Sequence, residues 1–180
     1  MYFNQKVKHK VFTSYYHHDD QYYKNEFVRI FGNDIINKSV GPGDISTDVS
    51  TEYIKQLIQR NFISDTSVLV VLVGPNTKNR KHVDWEISAA LSKKVGGYSG
   101  LIGILLPNFH LYKDDTYYYL DIPDRLADNV KGGYADIYTW DYITKYPGSF
   151  LDAIDTTFNK RTCQANKIDN SREQMKYNRG

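Results

Sequence analysis

A single cysteine, Cys163, stands among 180 residues, so no internal disulfide can form and the chain fits a reducing compartment. Charge imbalance is absent too. With 23 basic and 21 acidic side chains the formal charge is +2, and without a global field nothing argues for nucleic acid or an anionic membrane surface as a partner. No stretch approaches the roughly 20 apolar residues of a membrane-spanning helix, and residues 1–10 carry no apolar signal core. These absences predict a cytoplasmic, soluble protein. There is no internal repeat.

Several catalytic signatures are missing as well. Gly41-Pro42-Gly43 lacks the Lys and Ser/Thr of a phosphate loop and does not match the dinucleotide fingerprint, so neither a kinase nor a dehydrogenase follows from it. Ser14 has no Gly-x-Ser-x-Gly elbow around it, and Cys163 lies in or near a polar tail, so nucleophilic triads are disfavoured. His17-His18-Asp19-Asp20 contains metal-ligand residue types. Adjacent residues on an extended chain point apart, however, and no second cluster completes a site. Helix capping explains the knot better, and no metal or other cofactor is expected.

What remains is a globular pattern, 41% hydrophobic, predicting one domain over residues 1–159 followed by a polar tail, residues 160–180, that is frayed or disordered. Residues 10–15 read as a strand. Tyr23, Phe27, Ile30 and Phe31 repeat at helical spacing, with Asp19 or Asp20 as N-cap and Gly32 as the stop. Residues 34–40 form a weaker strand, broken by Gly41-Pro42-Gly43-Asp44. From about Ser50, Ile54, Leu57, Ile58 and Phe62 mark a second helix face, which leads to the apolar run 67–73, a strand buried on both sides.

A third helix follows, its stripe Val83, Ile87, Ala90 and Leu91, ending near Gly96-Gly97. Residues 101–106 give another strand, and residues 108–133 read as a long, tyrosine-rich irregular connection. Sixteen tyrosines is a high count, and many cluster in loops, where an amphipathic ring contacts a ligand or a partner. Residues 134–140 read as the last strand, and Phe150, Leu151, Ile154 and Phe158 line a terminal helix. Strands alternating with helices imply an α/β fold with parallel pairing, right-handed crossovers and helices on both sheet faces.

In such a sheet the carboxyl ends of the strands share one edge, and ligands bind in the crevice beside it. The residues at those ends are Tyr15 and His17 after the first strand, with Ser14 beside them as a further candidate substrate contact, Asp44 in the loop 41–48 after the second, and Asn76 and Thr77 after the third. Glu86 enters from the first turns of the third helix, about a quarter turn from its apolar stripe, while Trp85 points almost directly away. Neither is expected in the core. An arbitrary glutamate near a helix N-terminus merely complements the macrodipole, and a Trp on the far side of a surface helix usually packs under a loop.

In order along the chain, Val11-Phe12-Thr13-Ser14-Tyr15, residues 41–48 and Val83-Asp84-Trp85-Glu86-Ile87 form a series. Ile122-Pro123-Asp124-Arg125-Leu126 follows, leading to Gly133-Tyr134-Ala135. Over roughly residues 8–158 this series resembles the TIR domains, most closely the TIR-like proteins of bacterial Thoeris antiphage defence. The resemblance implies a flavodoxin-like parallel sheet of about five strands. In enzymatic members it implies cleavage of the nicotinamide glycosidic bond of NAD+, with Glu86 matching the catalytic glutamate. It also implies assembly through TIR-TIR contacts, and an ADP-ribose product, cyclised or transferred, that activates a separate effector. Many TIR enzymes carry a Trp one helical turn before the glutamate; here that place holds His82, and the Trp is Trp85. Tyr15 or His82 is then the ring that holds the substrate. Two other readings stay open: a non-enzymatic adaptor using the loop 41–48 and the tyrosine-rich surface, and a nucleoside-processing enzyme with Glu86 as nucleophile.

Overall fold

In a computed structural model of the chain, residues 7–38 and 50–180 are described, with only the backbone of residues 59, 61 and 62. Among the described residues five strands form one sheet: β1 (Lys10–Ser14), β2 (Ile36–Asn37), β3 (Val68–Val73), β4 (Gly100–Leu105) and β5 (Asp136–Thr139). All neighbours are parallel and the order is β2-β1-β3-β4-β5. This is the flavodoxin-like order, as the resemblance implies. Its direction of winding reverses between β1 and β3, and the crevice at that reversal, outside the carboxyl ends of the strands, is where such folds bind ligands.

Alternation along the strands divides the core into two faces. Val11, Val68, Val70, Leu72, Ile102 and Ile104 meet Phe27 and Phe31 of α1 (His17–Phe31) and Phe150 and Ile154 of α6 (Pro147–Cys163). On the other face Phe12, Leu69, Val71, Val73 and Leu101 meet Ile54 of α2 (Thr51–Leu57), Val83 and Ile87 of α3 (Lys81–Ala90) and Leu126 of α4 (Asp124–Lys131). Every residue of β3 is fully buried, which explains its unbroken Val/Leu run. A Cβ on Gly100 would come within 2.3 Å of the Thr157 carbonyl oxygen, so glycine lets α6 lie directly on β4.

Several boundaries differ from the sequence expectation. Helix α1 starts at His17, with Tyr16 as an N-cap that lends no side chain; Asp19 and Asp20 sit inside the first turn and bond across to other loops instead. The second strand keeps only Ile36–Asn37 among the described residues. Helix α2 begins as expected, Ser50 Oγ accepting from the Tyr53 N–H, and runs on into a widened turn, Ile58–Ile63. Helix α3 stops at Ala90, well short of Gly96. Residues 108–133 are less irregular than expected: they contain α4, whose short periodic pattern is lost among polar neighbours. Trp140 leaves the last strand and opens α5 (Trp140–Lys145), which Thr139 caps through its hydroxyl.

The C-terminal expectation is overturned. Helix α6 runs through residue 160 to Cys163, and the segment beyond it is laid against α3 and α4 rather than frayed. Its residues are polar because they bond to backbone and side-chain partners, a pattern composition cannot distinguish from that of a solvated tail.

Candidate active site

Glu86 lies one and a half turns into α3, the helix that follows β3, and Ser14 is the last residue of β1, so the two approach from opposite sides of the winding reversal. The Ser14 hydroxyl donates to Glu86 Oε2. Glu86 is only 6% exposed and Ser14 1%. Burial pushes the Glu86 carboxyl up to about 8, and the Ser14 hydrogen bond offsets part of that rise by favouring the ionised form. Among the described residues no cation contributes. A carboxylic acid in this setting holds its proton near neutrality and gives it up when a positive charge arrives.

The burial of Glu86 and Trp85 corrects the expectation that both stand clear of the core. Seven of the ten residues of α3 are buried, including Asp84 and Ser88 on what the periodicity marks as the solvent side. That side is covered by α4 and the C-terminal segment. Trp85 is 1% exposed and donates its Nε1–H to the Met175 carbonyl at 2.8 Å, while the ammonium groups of Lys55 and Lys81 lie 5.0 and 5.2 Å from its ring centre. The indole packs under a neighbouring segment, which is the ordinary role of such a Trp.

Of the sequence-predicted aromatic residues, Tyr15 adjoins the Ser14–Glu86 pair. Tyr15, 3% exposed, donates its hydroxyl to Gln21 Oε1 at 2.8 Å; burial raises its pKa, the Gln21 bond lowers it, and the charge of Glu86 raises it further. The Tyr15 and His17 rings stack at 4.3 Å and 13°. Burial, then Lys24, holds the His17 imidazole below its ordinary value. His82 is held down by burial, then by Lys81 and by His17. His82 is four residues before Glu86, on the same helix face, and its ring lies 5.1 Å from that of Trp85. The Tyr15 phenol thus adjoins the carboxyl, with the His17 ring stacked on it, while the His17 and His82 side chains reach the surface.

Asn76 joins a different group. Its side chain donates to Asp19 Oδ2 at 2.8 Å, away from Glu86, pinning the start of α1 to the loop after β3. Asp44 lies outside the described residues. Sequence reasoning missed Asp20, fully buried and accepting from Thr77 Oγ1 and Asn108 Nδ2, each at 3.3 Å. Burial raises its pKa, against the lowering effect of Asn108 and Thr77. A Cβ on Gly74 would come within 2.6 Å of that carboxylate, so the loops after β1, β3 and β4 close on one another only with glycine there. It also missed the buried ion pair between Asp84 Oδ1 and Arg125 Nε, 2.9 Å. No spacing rule links positions 84 and 125; the one available signal was that both sit in the motifs that carried the resemblance.

Among the described residues no group of three or more His, Cys, Asp or Glu side chains is arranged to hold a metal ion, and no helix is long and apolar enough to cross a membrane. What the arrangement offers is one buried carboxyl with a hydroxyl donor and a neighbouring phenol. It suits stabilising a cation at a carbon centre.

The family model described as the TIR-like domain of the Thoeris protein ThsB matches residues 12–110, a span that includes Ser14, Tyr15, His17, Asn76, His82, Trp85 and Glu86. Among solved structures, the chain is similar to the TIR domains in the activated Roq1 resistosome directly recognizing the pathogen effector XopQ. Identity there is 11%, the TM-score is 0.39, and the alignment covers 90% of this chain and 86% of that one. No curated protein matches.

Proposed function

The chain belongs to the family of TIR-like domains of the Thoeris protein ThsB, and from that premise we propose that it cleaves the nicotinamide–ribose bond of NAD+. Glu86 is the catalytic residue. The bond electrons leave with the nicotinamide nitrogen, which becomes neutral, and the positive charge passes to the ribose. Because the leaving group needs no proton, one carboxylate suffices, whereas ordinary glycosidases need two. Glu86 stabilises the oxocarbenium-like transition state through the ribose hydroxyls more than it stabilises the ground state. An oxygen nucleophile, either water or a ribose hydroxyl of the same ADP-ribose, then bonds to the anomeric carbon and releases its proton.

The observation that carries this reading is the buried, cation-free carboxyl of Glu86 bonded to Ser14 at the crevice of the sheet. A merely structural glutamate at a helix start sits in solvent or in a salt bridge. The pyridinium of NAD+ supplies the missing positive charge, so substrate binding itself ionises Glu86. Tyr15, His17 and His82 form the aromatic wall, and a site closed to water favours the internal hydroxyl and hence a cyclic product.

On this reading the protein is cytoplasmic, needs no cofactor beyond NAD+ as substrate, works as a homo-oligomer and reaches its effector through a diffusible nucleotide. Purified protein incubated with NAD+ over a range of protein concentrations should release nicotinamide, and the mass of the accumulating nucleotide identifies the acceptor. Absence of nicotinamide at every concentration, including assembled samples, removes the enzymatic reading. The adaptor reading would then take precedence, on the strength of the exposed Tyr118, Leu120 and Tyr146.

A further inference from the structure

The last thirteen residues run antiparallel to α3 over its whole length. At the C-terminal end of the helix, Asn170 Nδ2 donates to the Ser88 carbonyl at 3.0 Å and to Ser92 Oγ at 3.2 Å, and Gln174 Nε2 donates to Ser88 Oγ at 3.1 Å. In the middle, the Met175 N–H donates to Asp84 Oδ2 at 2.8 Å and its carbonyl accepts from Trp85 Nε1 at 2.8 Å. At the N-terminal end, Asn178 Oδ1 accepts from the Lys81 N–H at 2.9 Å, and the Arg179 N–H donates to the Asn79 carbonyl at 2.9 Å. Helix α3 has no capping side chain of its own. Asn178 supplies the cap from 97 positions away.

Asp84, Trp85 and Glu86 are consecutive, so their side chains leave the helix about 100° apart. Each is tied outside the helix: Asp84 to Arg125 and Met175, Trp85 to Met175, and Glu86 to Ser14. Three ties spread around the axis fix rotation as well as position, and two of them pass through one residue of the strap. We propose that residues 168–180 act as a positioning strap that sets the rotation of α3 and thereby seats Glu86 against Ser14. Met175, Asn170 and Asn178 are its positioning residues. Its catalytic consequence rests on the reading of Glu86 given above.

The attachment is polar almost throughout, with only Ile168 packed against the apolar core. Each such hydrogen bond contributes a modest amount, so loosening the strap leaves the sheet and its two apolar faces in place. What changes is access. Glu86 faces Ser14 and Tyr15 from β1 and the turn after it. Within α3, His82 lies a turn away, while Asp84 is turned toward α4, whose Arg125 pairs with it; His17 of α1 adjoins His82, and Lys55 of α2 covers the Trp85 ring. None of these groups belongs to the strap. A strap variant therefore alters Glu86 only by letting α3 shift and admit water.

The test uses the full chain with two variants, Met175→Pro, which removes the N–H on Asp84, and the double change Asn170→Ala with Asn178→Ala. With NAD+, kcat should fall about tenfold or more while KM stays within about threefold, since small misplacement of a reacting group is costly. In parallel, the Glu86 carboxyl is followed by carbon-13 NMR, assigned by its loss in Glu86→Gln. The chain has only four glutamates, so the resonance is separable, and in both variants its midpoint should move down from about 8 as water enters. A folded variant whose Glu86 midpoint is unmoved, with only its melting temperature lowered, overturns the proposal. If the unaltered protein never releases nicotinamide, the enzymatic reading fails, yet the NMR titration still decides the strap. Should Met175→Pro unfold, the double alanine variant decides alone.

Discussion

The hydroxyl of Ser14 donates to Glu86 Oε2 across 72 positions of sequence, joining the end of the first strand to the helix after the third. One side chain thereby spans the winding reversal of the parallel sheet, and it does so without introducing a charge. The carboxyl it holds is left to titrate near 8.

Glu86→Gln should abolish nicotinamide release while leaving the protein folded, because Gln keeps the shape and accepts the Ser14 hydrogen bond. Its stability effect has a sign. The folded carboxyl titrates at about 8, above its ordinary 4.5, so its stabilising contribution is fully present below 4.5 and is lost as pH rises toward 8. The slope is about 1.4 kcal/mol per pH unit. The Gln variant lacks this dependence. Its melting temperature relative to the unaltered protein should therefore climb between pH 5 and 8 and level off above; a difference that stays flat contradicts the burial of Glu86.

Ser14→Ala removes the one bond that pulls the Glu86 carboxyl downward, so the carboxyl should titrate higher still. If catalysis uses the carboxylate, kcat/KM of the unaltered protein rises with pH toward a midpoint near 8, and the limb in kcat lies lower because the bound pyridinium favours ionisation. In Ser14→Ala the kcat/KM limb moves to higher pH, and activity at pH 7 falls more than at pH 9. A uniform loss at all pH values would show that Ser14 acts otherwise than through Glu86.

Most of the fold could be read from period and punctuation. The run 67–73 and the helical stripe after it identify β3 and α3, and the alternation of strands and helices dictates parallel pairing. Short elements escaped: α5 begins at Trp140, where an aromatic residue continued the strand pattern, and the period of α4 spans only eight residues inside a long polar connection. The site was half legible. Ser14, Tyr15 and Glu86 meet because strand ends share an edge, which is a rule of topology. That Trp85 and Asp84 are covered depends on where the C-terminal segment comes to rest, and hydrogen bonding by polar residues leaves no periodic trace.

Arg125 and Asp84 are 1% and 5% exposed and bond at 2.9 Å. Arg125→Met should destabilise by about 3–5 kcal/mol, since it leaves a buried carboxylate without its cation. The double change Asp84→Asn with Arg125→Met removes the orphaned charge and should recover a large part of that loss. Denaturant melts of the three proteins check the order. A double variant as unstable as Arg125→Met would mean that the lost bonds of Arg125 to Asn170 and Glu173, rather than the stranded Asp84 charge, dominate.

Trp85 decides between two roles for the same ring. The resemblance to TIR enzymes places an aromatic residue against nicotinamide, but Trp85 is sealed beneath Met175 and flanked by Lys55 and Lys81, whereas Tyr15 lies close enough to the Glu86 carboxyl to feel its charge. Trp85→Phe keeps an aromatic ring and loses the Nε1 hydrogen bond, so it should cost about 1 kcal/mol of stability and leave KM for NAD+ within about twofold of the unaltered value, because a ring that does not touch substrate contributes no binding. Replacing Tyr15 by Leu, which keeps bulk and removes the flat ring, should instead raise KM by about fivefold to tenfold, the equivalent of one lost stacking contact of 0.5–1.5 kcal/mol at the upper end. If Trp85→Phe raises KM and Tyr15→Leu does not, the indole contacts substrate after all and the strap must open for nicotinamide to enter.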